Sequence, residues 1–360
     1  MTGSNPLLVF TGGHHTSALA VAKILKDRSI SIIWLGHKYS MQNDRHTSAE
    51  FREVSESGIP FIELIAGKLY GNFNLSGLIK IILGFIQSLI ILIYFKFFSK
   101  YRLKGIVTFG GYLGVPVVMA GKFLGIPVIV HEQTVTSGWA NKLISKFAKK
   151  IAVSWPSSLV NYPASRSVLT GLPLRPEIIK IKKKSIVRNS HLIYVTGGKQ
   201  GSHIINQVIF DTLPQLLTNY TIVHQTGNNS VHKDFEKALA INRPEYKVFD
   251  YLKAADAAGY LASAEIVISR SGAHIIQELA YFNTKSVLIP IPDSSHNEQL
   301  KNAQLLELHN LAVVVPQHTL SPETLLAAIT RLKLLKTQPL NLIENGLENM
   351  TQLIIDTLNL

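Results

Sequence analysis

The chain has 360 residues, 46% of them hydrophobic and 16% charged, with no cysteine and a formal net charge of +13. That apolar content excludes disorder and suffices for two cored domains, while the missing cysteines exclude a disulfide framework and a thiolate metal site. The first ten residues lack a basic n-region and hold only a short apolar run, so no cleaved signal peptide is expected and the mature chain is expected in the cytosol.

Short β-branched runs alternate with helical patterns, which indicates parallel sheets with crossover helices. The first half is expected to hold strands over 7–11, 30–35, 61–65, 105–108, 127–130 and 151–153, with helices between them, including 17–26 and 113–124. Gly12 and Gly13 follow the first strand, where two glycines alone mark only a tight turn. His14 and His15 sharpen the signal, because an imidazole titrates near neutral pH and can take a proton from a hydroxyl nucleophile. No Gly-x-Gly-x-x-Gly occurs, which disfavours dinucleotide binding.

The segment 81–95 is apolar around the whole helix circumference, broken only by Gly84, Gln87 and Ser88, and is followed by Lys96, Lys100, Arg102 and Lys104. It reads first as a buried helix of an α/β domain, with a membrane-surface element and a spanning helix as alternatives. Gly110, Gly111 and Tyr112 follow the strand at 105–108, and His131, Glu132 and Gln133 follow the one at 127–130. Parallel strands end on one edge, so these residues and His14 are expected to line one wall, although a polar trio can also serve as a helix cap. Glu132 is the sole acidic residue between Glu63 and Glu177, suggesting either function or surface pairing with a lysine.

Residues 171–188, with their lysine-rich second part, read as a linker between domains 1–170 and 189–360. The charge is split accordingly: 18 Lys and Arg against 7 Asp and Glu over 1–170, but 12 against 15 over 189–360. A basic first half suits nucleic acid, an anionic membrane or an acidic substrate; no zinc-finger spacing or RNA-binding signature is present, so the membrane reading is preferred.

The second domain is expected to hold strands over 192–196, 221–225, 265–269, 286–290 and 312–315, and a helix opened by Ser321 as cap with Pro322 at its first position. Two strand-to-helix turns stand out, Gly197–Gly198–Lys199–Gln200–Gly201 and Ser271–Gly272–Ala273. Glycines let a ligand approach the backbone there, and helix N-termini suit phosphate, so a nucleotide is expected. Glu278 lies on the helix after the second turn, either holding a ribose or merely exposed. No Asp-x-Asp, metal-ligand cluster or Gly-x-Ser-x-Gly occurs, so diphosphate charge is expected to meet helix termini with Lys199 or Arg175, and no metal or other cofactor is expected.

The blocks VTFGGYLG at 107–114, GLPLRP at 171–176, YVTGGKQGSHIINQ at 194–207, VHQTG at 223–227, VISRSGAHIIQELA at 267–280 and EQLKNA at 298–303 occur in one characteristic order. In that order the chain resembles the bacterial UDP-N-acetylglucosamine–N-acetylmuramyl-(pentapeptide) pyrophosphoryl-undecaprenol N-acetylglucosaminyltransferase family. The resemblance implies a GT-B fold of two Rossmann-like doubly wound domains facing across a cleft, and an inverting, metal-independent transfer of GlcNAc from UDP-GlcNAc to the muramyl 4-hydroxyl of lipid I. The product would be lipid II, made for peptidoglycan, cell shape and division by an enzyme peripheral to the cytoplasmic face of an anionic membrane. It places Arg175, Gln200, Ile275, Glu278 and Gln299 at the nucleotide sugar, with Gly197, Gly198 and Gly201 shaping the diphosphate loop. His14, Tyr112, Glu132 and Asn141 fall at acceptor-side positions, with Gly12, Gly13, His15, Gly110, Gly111 and Gln133 as further acceptor candidates and His14, Glu132 and Tyr112 as catalytic ones. The family's longer first loop is shortened here to Gly12–Gly13–His14, Thr134 replaces an asparagine, and Lys199 and Glu298 stand where serine and histidine are common. A transferase with another lipid-linked acceptor, a UDP-GlcNAc epimerase and a non-catalytic sugar-nucleotide binding module remain alternatives.

Overall fold

The computed structural model describes residues 5–39, 47–67, 75–182, 186–229, 231–292, 297–338 and 340–360. Residues 183–185 of the expected linker lie outside the described residues. The chain forms two compact units, Met1–Arg175 with Ile343–Leu360, and Pro176–Leu342.

The first unit is built on a parallel sheet of β1 (Pro6–Thr11), β2 (Ser31–Gly36), β3 (Phe61–Glu63), β4 (Arg102–Thr108), β5 (Val128–Glu132), β6 (Lys150–Val153) and β7 (Ser167–Leu169), in spatial order β3-β2-β1-β4-β5-β6-β7. Around it lie α1 (His15–Asp27), α2 (Ala49–Glu56), α3 (Leu75–Ile93), α4 (Gly114–Phe123) and α5 (Trp139–Ser145). The second unit repeats the plan with β8 (Asn189–Thr196), β9 (Thr221–Gln225), β10 (Tyr246–Phe249), β11 (Ala264–Ser269), β12 (Lys285–Leu288) and β13 (Ala312–Val314), ordered β10-β9-β8-β11-β12-β13. Its helices are α6 (Pro176–Lys182), α7 (His203–Leu216), α8 (Asp234–Leu239), α9 (Ala254–Ser263), α10 (Ala273–Phe282), α11 (Glu298–Leu308) and α12 (Pro322–Leu334), before α13 (Gly346–Leu358). Ser321 caps α12 as expected, its hydroxyl accepting from the Thr324 amide at 3.3 Å. The central strands read as unbroken apolar runs because helices cover both faces; Leu7 to Phe10 are fully buried.

Sequence order misassigned several pieces. The short strands β7 and β10 sit at sheet edges, where one paired side leaves a weak apolar pattern. β5 runs through His131 and Glu132, so these two residues end the strand instead of following it. The expected linker is divided: Ser17 donates to the Pro173 carbonyl at 2.9 Å within the first unit, while α6 packs on α9 in the second. The chain's last helix also leaves the 189–360 grouping. α13 packs on α1, Leu358 lies against Gly105 of β4, and Lys149 donates to the Thr357 carbonyl at 2.9 Å, all inside the first unit.

The apolar segment 81–95 is not a buried helix. Along α3 the buried stripe is Gly84, Ser88 and Leu92, spaced at one helical turn, whereas Ile82, Leu83, Ile86 and Ile90 are exposed, as is Tyr94 just after it. Two of the residues that interrupt its apolar run thus form the packing face. A side chain at Gly84 would collide with the Ile65 carbonyl, and Gln87 accepts from the Ile65 amide at 2.7 Å while donating to the Glu63 carbonyl at 2.8 Å. A π-turn, Tyr94–Phe98, ends the helix and exposes Phe97 and Phe98; Lys96 donates from there to the Leu124 carbonyl at 2.6 Å, beside the exposed Phe123 at the end of α4.

Candidate functional site

In each sheet the strand order reverses between two neighbouring central strands, β1 and β4 in the first unit, β8 and β11 in the second. Ligands of doubly wound sheets bind beyond the carboxyl ends of the strands at that reversal. The glycine turns singled out from the sequence all fall there.

In the first unit, the turns after β1 and β4 are pinned to each other. Phe109 donates its amide to the Thr11 carbonyl at 2.9 Å and Gly13 to the Gly110 carbonyl at 2.8 Å. Gly110 has φ +74°, and a Cβ there would meet the Asn141 amide oxygen at 2.5 Å. Only glycine suits both the backbone and the close approach. Asn141 in turn donates to Glu132 at 2.8 Å, joined by the Thr134 amide at 3.0 Å, the Thr134 hydroxyl at 2.8 Å and the Tyr162 hydroxyl at 3.0 Å. Glu132 is 1% exposed, which rules out the alternative of surface pairing with a lysine. Burial raises its pKa, and the four donors oppose that shift. A carboxylate engaged this fully organises the turn around Gly110.

His14 occupies the residue before α1 and is half-buried. Burial pushes its imidazole down to about 4, the neighbouring His15 adding to the shift, so it is neutral at physiological pH. His131, fully buried at the end of β5, is also pushed down to about 4, chiefly by burial, with a smaller contribution from His14 nearby. The two adjacent histidines diverge: His15 Nε2 turns to Glu53 of α2 at 3.3 Å. Tyr112 places its hydroxyl 3.3 Å from His37 Nδ1, and burial followed by the Glu50 charge raises its pKa. Gln133 is buried, with neither amide atom hydrogen bonded to any of the described residues. The structure therefore groups Gly12, Gly13, Gly110, Gly111, Glu132 and Asn141, with His14 next to His131, while His15 and Tyr112 face the α2 side.

In the second unit, Gly197 to Gly201 close the turn between β8 and α7. A side chain at Gly201, φ +73°, would overlap the Thr226 carbonyl. Gln225 donates to the Gly198 carbonyl at 3.1 Å, and Gly198, Lys199 and Gln200 are exposed at the tip. Neither Ser202 before α7 nor Gly272 before α10 makes a side-chain cap, so these helix ends offer backbone N–H groups and positive dipole ends. The turns are cross-tied by Arg270, whose guanidinium donates to Ser202 Oγ at 2.8 Å and to the Ile289 carbonyl at 3.1 Å. Gln299 accepts from the Ile291 amide at 3.1 Å, and its carbonyl accepts from the Ser271 hydroxyl at 2.8 Å, which shapes the Ser271–Ala273 turn. Glu278 is 3% exposed on α10, against the alternative of an exposed helix glutamate, and Ile275 on the same helix is half-buried. Arg175 is the last residue of the first unit, outside the unit that carries these turns.

Residues 9–153 match the glycosyltransferase family 28 N-terminal domain and residues 192–358 the glycosyltransferase family 28 C-terminal domain. The chain belongs to glycosyltransferase family 28. It is 30% identical over 332 residues, 89% of this chain and 88% of the other, to the UDP-N-acetylglucosamine–N-acetylmuramyl-(pentapeptide) pyrophosphoryl-undecaprenol N-acetylglucosamine transferase of Lachnospira eligens. The protein of that name from Clostridium botulinum strain Langeland is 28% identical over 359 residues, 96% of each chain. Among solved structures, Acinetobacter baumannii MurG superposes with TM-score 0.69 over 99% of both chains at 24% identity. The UDP-GlcNAc 2-epimerase of Neisseria meningitidis gives TM-score 0.62 over 98% of this chain and 99% of its own at 13% identity, a likeness of fold alone. This family 28 enzyme thus has the GT-B fold of two Rossmann-like units.

Sequence reasoning named Thr134 only as a departure from the family pattern, and missed that Thr134 and Tyr162 brace Glu132 and that Arg270 ties the two second-unit turns together. Tyr162 lies 30 positions from its partner Glu132, and no spacing rule links a strand end to a tyrosine so far along the chain.

Proposed function

We propose that this glycosyltransferase moves GlcNAc from UDP-GlcNAc to the muramyl 4-hydroxyl of undecaprenyl-diphosphate-linked MurNAc-pentapeptide, converting lipid I to lipid II for peptidoglycan. The observation that carries this reading is similarity over nearly the whole chain to transferases of that name, joined to two uncapped helix ends at one strand-order reversal. The second unit takes the donor, its helix N-termini and Lys199 facing the diphosphate and Glu278 the ribose. The acceptor oxygen attacks the anomeric carbon as the bond to the diphosphate breaks with inversion, and the acceptor proton passes to His14. A neutral imidazole serves that role, while Glu132, saturated by donors, holds the turn.

The exposed apolar stripe of α3, with Phe97, Phe98 and Phe123 and the nearby Lys80, Lys96, Lys100 and Lys122, suits the surface of an anionic bilayer at the cytoplasmic face. The stretch Gly77–Phe98 is long and apolar enough to span, yet its small-residue face is packed and Gln87 is bonded to the sheet edge, which favours lying in the interface. The same stripe favours transfer over epimerisation of a soluble sugar nucleotide. The shortened Gly12–Gly13–His14 loop keeps a different lipid-linked acceptor as a second reading.

The test is incubation with labelled UDP-GlcNAc and purified lipid I in EDTA, followed by lipid extraction. A disaccharide lipid is expected, because helix ends and Lys199 meet the diphosphate charge without metal. Product made only after magnesium or manganese is added would overturn the metal-free assignment. UDP-ManNAc as the product would indicate an epimerase, and UDP binding without turnover a binding module.

A further inference from the structure

Beneath the first donor turn runs a buried polar relay whose hub, Asp234, lies outside every sequence block that carries the family resemblance. Asp234, the first residue of α8, is 1% exposed. Its carboxylate oxygens lie 3.0 and 3.1 Å from His203 Nδ1, and one of them accepts from the Asn206 amide at 2.9 Å. The same Asn206 Nδ2 donates to the Thr226 carbonyl at 2.9 Å, while Asn206 Oδ1 lies 3.0 Å from His224 Nε2, and His224 Nδ1 lies 2.8 Å from the Tyr246 hydroxyl. His203 stacks on His232 with ring centroids 3.7 Å apart.

The geometry of this relay bears on the donor turn at two points. His203 is the first residue of α7, directly after Ser202, so its link to Asp234 fixes the helix end toward which the turn delivers a ligand. The Thr226 carbonyl held by Asn206 is the group against which Gly201 closes, and a side chain at Gly227 would collide with the Gln200 carbonyl. A shift of Asp234 would release both the first turn of α7 and the wall behind the glycines. A buried carboxylate is costly unless it is hydrogen bonded, and among the described residues His203 and Asn206 make those contacts to Asp234.

We propose that Asp234 is a positioning residue for the diphosphate of the donor, acting through His203 and Asn206 on the Gly197–Ser202 turn; this rests on the reading of the second unit as the UDP-GlcNAc site. Its signature is a selective effect on donor binding.

The test is calorimetric binding of UDP to the full chain, with steady-state kinetics in both substrates. Asp234→Ala should weaken UDP binding about tenfold and raise the donor KM in proportion, leaving kcat at saturating donor and the acceptor KM within about twofold. Asp234→Asn, which keeps the shape and one acceptor oxygen, should recover part of the loss and covers the case in which the alanine variant does not fold. Adding His203→Ala to Asp234→Ala should cost less than about twofold more, because the two side chains act as one unit. Unchanged UDP affinity in folded Asp234→Ala and Asp234→Asn, or full additivity with His203→Ala, overturns the assignment while wild-type binding leaves the donor reading standing. Failure of the wild-type chain to bind UDP overturns both.

Discussion

The two strand-order reversals share a topology and differ in what they place there. In the first unit the turns are wrapped in titratable side chains: buried Glu132 under four donors, fully buried His131 and half-buried His14, the two imidazoles kept neutral chiefly by desolvation. In the second, the tip of the turn is backbone, with Gly198, Lys199 and Gln200 exposed and two helix ends lacking side-chain caps. Under the proposed function, one fold plan yields a proton-handling edge in the first unit, with 19 Lys and Arg against 10 Asp and Glu, and an anion-receiving edge in the second, with 17 against 13. The lesson is that parallel-sheet topology places a site, and the residues at the strand ends choose its chemistry.

If the first unit handles the proton, His14→Ala should lower turnover by about 10²-fold or more with UDP affinity retained, whereas His15→Ala, whose imidazole is turned to Glu53, should cost less than about tenfold. Collapse in His15→Ala beside a near-normal His14→Ala would reverse their roles. If the second unit holds the nucleotide, Glu278→Ala should weaken UDP binding by about 2–3 kcal/mol, read by calorimetry on a folded variant. Unchanged affinity would remove Glu278 from the site.

A smaller effect is expected at the exposed aromatics of the first unit. Replacing Phe97, Phe98 and Phe123, of which Phe98 is 75% and Phe123 74% exposed, by serine should reduce vesicle binding without altering UDP affinity. Binding of the unchanged chain to anionic vesicles should weaken with salt while an apolar part persists. Equal partitioning to neutral and anionic vesicles would show that the basic charge has another purpose.

The smallest contrast concerns acid. His131 in the first unit and His224 in the second are both fully buried, with imidazoles pushed by burial down to about 4 and about 3 from an ordinary 6.5. The unfolded chain then binds more protons than the folded one below pH 6.5, so stability should fall as pH drops from about 6.5 toward 4. Denaturant melts over that range should flatten in His131→Asn and in His224→Asn. An unchanged slope in either variant would show that its histidine does not report on folding in that unit.

Much of the architecture was legible in the chain itself. Unbroken β-branched runs announced buried parallel strands, Ser321 with Pro322 announced a helix start, and the glycine turns at 12–13, 110–111, 197–201 and 271–273 marked the strand ends where ligands gather. These are local properties, fixed by backbone conformation and by the repeat of apolar side chains. Tertiary structure decided what depends on partners distant in sequence: that α13 returns to the first unit, that Gly84 and Ser88 turn inward and leave Ile82, Ile86 and Ile90 of α3 outside, and that Glu132 is saturated by Tyr162 and Asn141. It also separated His14 from His15, identical side chains at adjacent positions, because one lies beside buried His131 and the other is turned to Glu53 by the packing of α1 on α2. Periodicity shows which residues share a face, but only the packed chain determines what that face meets.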